Sequence, residues 1–240
     1  MSPAFIAVAL ALAVALSLRP WRLLAGGHLL SPLLGSLVVL PWLWALPRLH
    51  AMPLQLQWSG ACLVVLMLGW PLAVPVLAAV AFLSGLIAPA EPGDLLDLLL
   101  WLGLVPGTLS LALGAALRRW AGTHPFVYIL GRGFFGTAVC VFAASALAQK
   151  LGQPLQGVGE GLSLVAHWLM AWGDAFVTGM AAAIFVAFRP EWLATWSDRL
   201  YLARPPQTPG AAPATRAPTS PAVEPAKDPH TDTHRVDGDQ

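Results

Sequence analysis

The sequence predicts an all-α integral membrane protein: a six- to seven-helix transmembrane bundle followed by a disordered, proline-rich C-terminal tail. Three observations predict it. Of 240 residues, 57% are hydrophobic and only 10% charged, whereas a soluble domain carries about 25% charged residues. Mean hydropathy is +0.69, so the chain cannot cover its surface with polar groups and a bilayer must be its solvent. Apolar runs recur from residue 4 to residue 188, separated by short turns with charges or prolines. At residue 204 the composition changes: eight prolines lie among Ala, Thr, Asp and Gly with no apolar periodicity. Nothing there offsets the ordering entropy, which divides the chain into a bundle over 1–203 and a disordered cytoplasmic tail over 204–240.

The first apolar stretch is 4–18, and Arg19 and Arg22 follow it while no Lys or Arg precedes it. A cleaved signal peptide has its charges in front, so a retained helix is expected, short and tilted. A second run, Leu29–Leu46, ends near Pro47, Arg48 and His50. The third, Trp58–Ala88, is too long for one span and short for two. It holds Gly69-Trp70-Pro71 near its middle, and proline breaks the helical ladder, so two short helices meeting at Gly69–Pro71 are expected. Short helices at membrane depth must be buried in protein or face a cavity. Next come Asp97–Leu117, interrupted by Pro106-Gly107, then Phe126–Ala148, and finally Gly161–Phe188, which stops at Arg189-Pro190.

Charge decides the parity. With seven segments and the N-terminus outside, Arg19/Arg22, Arg118/Arg119 and Arg189/Arg199 all fall on the cytoplasmic side, while Glu91/Asp94 and Glu160 fall outside. With six segments Arg118-Arg119 would lie outside, against the positive-inside bias. Seven is the better count.

Composition also excludes functions. A net charge of +1 without basic clusters argues against nucleic acid as a partner. There is no GxxxxGK[ST] phosphate loop, HExxH zinc helix, GxSxG elbow or CxxCH haem site, so neither an enzyme nor a cofactor is expected. Cys62 and Cys140 sit in apolar runs with no zinc spacing and are expected to be packing residues. His230 and His234 in the tail are expected to be solvated.

An ionisable residue inside hydrocarbon costs about 2.5–3.5 kcal/mol on insertion scales and is a functional candidate by default. Arg132, His167 and Asp174 are the three. In the last helix His167, Met170, Asp174 and Thr178 lie at i, i+3, i+7 and i+11 and share a face. Asp174, near mid-span, needs a partner, a proton or a hydrated cavity. Two readings stay open: this face lines a polar pocket, or Asp174 pairs with Arg132 or caps a neighbouring helix and holds the bundle together. For His167 a structural hydrogen bond competes with a ligand role, and Arg132 can snorkel from near its helix end. Small residues (Gly131, Gly133, Gly136 and Ala144; Gly173, Gly179 and Ala183) let helices approach closely, and the eleven Trp residues serve as interfacial anchors.

Pro125-Phe126-Val127-Tyr128-Ile129 with Gly133-Phe134-Phe135 is one recognisable block. Another is Gly173-Asp174-Ala175-Phe176-Val177-Thr178-Gly179-Met180, running to Arg189-Pro190-Glu191-Trp192-Leu193. With Gly69-Trp70-Pro71-Leu72-Ala73, these blocks resemble a proteobacterial branch of the CbiM-like proteins over residues 55–202. Those are substrate-capture membrane subunits of energy-coupling factor (ECF) transporters for cobalt or nickel. The resemblance implies a seven-helix bundle in the bacterial inner membrane with its N-terminus outside. It also implies partners, a coupling transmembrane subunit and ABC ATPases, and a small solute or divalent metal as cargo. Metal-capturing members begin Met-His and carry a second histidine after the second helix. Here Ser2 and Gln57 stand at those places, and an amide is a poor ligand for Co²⁺ or Ni²⁺ beside imidazole.

Three functions are compatible with these features. The first is a permease subunit binding its substrate near Gln57, His167 and Asp174. The second is a membrane scaffold that kept the bundle, and the third a stand-alone proton-coupled carrier with Asp174 as the proton site.

Overall fold

Apolar sequence dictates an all-helical chain here, because a backbone away from water must satisfy its own hydrogen bonds. The structure is a computed structural model that describes residues 3–50, 57–121, 124–152 and 160–196. Ser2 and the tail expected over 204–240 lie outside the described residues. Among these residues there is no strand, and the elements run in the order the apolar runs do.

Helix α1 (Pro3–Ser17) is followed by a single turn, α2 (Trp21–Leu24), and then by α3 (Leu30–Leu49). Next come α4 (Ala61–Leu68) and α5 (Trp70–Ile87), separated by Gly69 alone. Helices α6 (Pro92–Leu98) and α7 (Val105–Trp120) are joined by a π-helical stretch, Leu99–Leu104. A second π-helical stretch, Val127–Phe135, leads into α8 (Gly136–Lys150), and α9 (Glu160–Phe188) precedes a 3₁₀ turn at Pro190–Trp192. Five helices are long and apolar enough to cross a membrane: Leu30–Leu49, Trp70–Ile87, Pro92–Trp120, Val127–Lys150 and Leu162–Phe188. The outward side chains suit lipid contact, with Leu10, Val38, Phe82, Leu86, Phe176 and Met180 all exposed.

The expected seven apolar segments are thus all helical, but two are not span-length: α1 has 15 residues and α4 only 8. Two boundaries also differ from expectation. Helix α3 does not stop before Pro47 but carries both Pro41 and Pro47 inside it. Near its end Arg48 Nη2 donates to Ser84 Oγ of α5 at 3.1 Å. The helix expected from Asp97 begins at Pro92, whose missing N–H costs nothing in a first turn, and Asp94 lies in that turn at the positive end of the helix dipole.

The break between α4 and α5 falls where the sequence places it. Gly69 adopts φ 74°, ψ 154°, a region that side-chain-bearing residues rarely enter. What precedes it is unusual for a membrane-type bundle. All eight residues of α4 are buried, and the helix touches α3, α5, α7 and α9. At about 12 Å long it spans less than half of a hydrocarbon core of about 30 Å. Both of its ends therefore lie inside protein.

Candidate functional site

A buried half-helix raises one accounting question: where do its terminal amides and carbonyls find partners? At the N-terminal end, Asp174 of α9 supplies the answer. Its Oδ2 accepts the Ser59 amide at 2.9 Å and its Oδ1 accepts the Gly60 amide at 3.1 Å. Asp174 is 1% exposed, so this is a charge-assisted cap made away from water. Gly60 can present its amide because it takes φ 63°, with the Trp58 ring packed 3.3 Å from where a Cβ would stand.

Ser59 is the hub of this end. Besides its amide bond to Asp174, its carbonyl accepts Trp44 Nε1 at 3.0 Å. Its hydroxyl donates to Leu102 O at 2.6 Å and accepts the Ala61 amide at 3.2 Å. Leu102 O is available because Pro106, four residues on, has no N–H to give it. Next to it, Cys62 Sγ donates to Pro106 O at 3.7 Å. The proline-glycine interruption of the fourth run is therefore the surface into which α4 docks, with Val65 of α4 packed 3.2 Å from a Cβ built on Gly107.

The C-terminal end is held by residues that follow α9. Pro71 deprives Met67 O of its helical donor, and the Ala194 amide takes that place at 2.8 Å. Leu66 O accepts Thr195 Oγ1 at 2.8 Å, with the Thr195 amide also facing it at 3.4 Å. Since the threonine hydroxyl proton is used there, Tyr128 OH is the donor in the 2.8 Å bond between the two hydroxyls. Tyr128 is buried, stands edge-on to Trp196 at 5.0 Å, and carries the Arg132 guanidinium over its ring at 5.8 Å.

Each residue singled out in the sequence can now be placed. Asp174 is a helix cap, one of the two structural roles left open. Arg132 is buried and is not its partner: it lies against Gly114 and Tyr128, toward the opposite end of α4. His167 and Thr178 share the inward face of α9 with Asp174, together with Ala171, Ala175 and Ala182. The His167 ring hydrogen-bonds the Ser163 backbone one turn earlier, and the Thr178 hydroxyl is buried on the same face. Met170 is half-buried at the margin of that face. Gln57 is half-buried two residues before Ser59, so the segment it belongs to meets α9 at Asp174. Cys62 and Cys140 are free, buried and in one apolar cluster with Val141 and Ala171. Among the described residues, no three His, Cys, Asp or Glu side chains gather in a way that would hold a metal.

The sequence reading missed Ser59, Leu102 and the segment Leu193–Trp196. Ser59-Gly60 in front of an apolar run is an N-cap signal that points to Ser59, although nothing local points to Leu102 or to residues 193–196. Close helix packing through small residues is present where α9 meets the second π-helical stretch: a Cβ on Gly133 would stand 3.1 Å from Ala182 Cβ and 3.7 Å from Gly179 Cα. Comparison with known proteins adds no family: no family model, curated protein or solved structure matches this chain.

Proposed function

We propose that this chain is the substrate-binding integral membrane subunit of an energy-coupling factor ABC-type transporter, multi-pass in a bacterial inner membrane, with its N-terminus outside and its tail cytoplasmic. The observation that carries the reading is the discontinuous helix α4/α5. The segment Gln57–Gly60 enters the bundle as irregular backbone and is pinned there by Asp174. Non-helical backbone inside an apolar bundle is tolerated where it is buried in protein or lines a solute pathway, and carriers place their sites at such broken helices. The cargo would meet Gln57 and the inward face of α9 at His167, Met170 and Thr178, where imidazole, thioether and hydroxyl groups stand. An amide at position 57 suits a small solute with hydrogen-bonding groups better than bare cobalt or nickel. Without a phosphate loop in the chain, energy would come from partner ATPases through a coupling transmembrane subunit.

The test is to purify the chain with its native membrane partners and measure ATP-dependent uptake of Co²⁺, Ni²⁺ and small cofactors in proteoliposomes. We expect an ATPase to co-purify and Gln57→Leu to weaken capture about tenfold, the size of one lost hydrogen bond of about 1.4 kcal/mol. Absence of any ATPase together with absence of binding would overturn the reading.

A scaffold that kept the bundle is the second reading, and the full engagement of Asp174 in capping is the observation that favours it. Removing residues 204–240 separates the two: a scaffold that recruits through its tail loses function, whereas uptake by a transporter persists. The stand-alone proton carrier is not adopted, because an acid used to cap a helix could move its proton only by giving up the cap.

A further inference from the structure

The half-helix α4 is held at both ends by one continuous stretch of chain. Asp174 on α9 takes the amides at its start, and Ala194 and Thr195, just past the end of α9, take the carbonyls at its finish. Between those ends α4 is a buried rod of eight residues. Close-packed interiors transmit displacement instead of absorbing it. Leu193 and Trp196 are buried in the same apolar core as α4, so the segment they flank is seated in the bundle.

We propose that Leu193–Trp196 is a strap whose hold on α4 is coupled, through that helix, to the Asp174 contact at its other end, so that loosening either end loosens the other. Three features support this. Both ends of α4, Ala61 and Leu68, are fully buried in the bundle. The carbonyls released by the break at Gly69 and by Pro71 are met by donors from the strap. The strap's own hydroxyl is held in turn by Tyr128. The segment bearing Gln57 and the segment Leu193–Trp196 are thereby mechanically joined, although residues 57 and 196 lie 139 positions apart. This inference does not depend on the transport reading, because it requires no solute.

The experiment is hydrogen–deuterium exchange on the full-length protein in lipid nanodiscs. Thr195→Val keeps the shape and removes the hydroxyl that donates to Leu66 O. We expect exchange at the Ser59 and Gly60 amides to speed up about tenfold, the change expected when a local opening becomes easier by one hydrogen bond, with α3 unchanged. Thr195→Ser restores the hydroxyl and should return both ends to wild-type protection. Conversely, Asp174→Asn should raise exchange at Ala194 and Thr195. Should Asp174→Asn fail to fold, the Thr195 pair decides alone. Faster exchange confined to the strap in Thr195→Val would overturn the coupling. Persistence of the far-end effect in Thr195→Ser would also overturn it, since the hydroxyl would then not be the link.

Discussion

Two prolines, Pro71 and Pro106, interrupt two apolar runs and have opposite consequences. Each removes an amide and strands the carbonyl four residues before it, Met67 O in one case and Leu102 O in the other. At Pro71 the helix ends, because Gly69 two residues earlier can take φ 74° and turn the chain. At Pro106 the preceding residues are Leu104 and Val105, which resist such a turn, and the helix continues through a π-helical stretch. The donor that rescues Met67 O is a backbone amide 127 residues later in the chain, and the donor for Leu102 O is the Ser59 hydroxyl. A proline thus makes a break only where a glycine lets it, and in both places the stranded carbonyl becomes a socket for a distant segment.

The largest break in this comparison should come from Asp174→Ala, which leaves two buried amides at the start of α4 without an acceptor. Each buried amide left without an acceptor costs about 1–3 kcal/mol, so the variant should unfold at markedly lower denaturant in detergent, with Asp174→Asn intermediate. Ser59→Ala comes next. It orphans Leu102 O, and a loss of about 1–3 kcal/mol is expected in the same measurement. Gly69→Ala should cost a similar or smaller amount, about 1–3 kcal/mol, from forcing a side chain into the glycine region. The finest distinction is a double-mutant cycle. Pro106→Ala supplies an amide to Leu102 O, so Ser59→Ala should cost about 1 kcal/mol less in that background than in the wild type. Equal costs in both backgrounds would show that Leu102 O is not the shared acceptor.

Much of the architecture was legible because helical membrane-type chains announce themselves by composition. The division of the run at 58–88 was readable from Gly69-Trp70-Pro71, and helix capping was one of the roles open to Asp174 from its mid-span position. The stretches Leu99–Leu104 and Val127–Phe135 were not readable as π-helical, since a continuous apolar run does not distinguish a wider helical turn from an ordinary one. The run expected to end at Leu46, near Pro47, Arg48 and His50, continues as helix three residues further, to Leu49. The site is the harder case. His167, Asp174 and Thr178 share a face, as their spacing requires, but the sequence alone does not choose between Arg132 and a neighbouring helix start as the partner of Asp174. Periodicity tells which residues lie on one helix face and is silent on which helix end that face meets.

The capping of α4 also has a consequence for how the protein is made. The Gly60 amide waits for a residue 114 positions later, and Leu66 O for one 129 positions later. At translation rates of about 5–20 residues per second, that delay is on the order of ten seconds. During it the nascent half-helix has neither its acid nor its strap, and is too short to be held by the bilayer alone. Chains that stall or are cut before Thr195 carry bare amides and carbonyls in an apolar setting, the kind of defect that membrane quality control removes. Synthesis of Leu193–Trp196 is therefore the step at which both ends of α4 can first be satisfied.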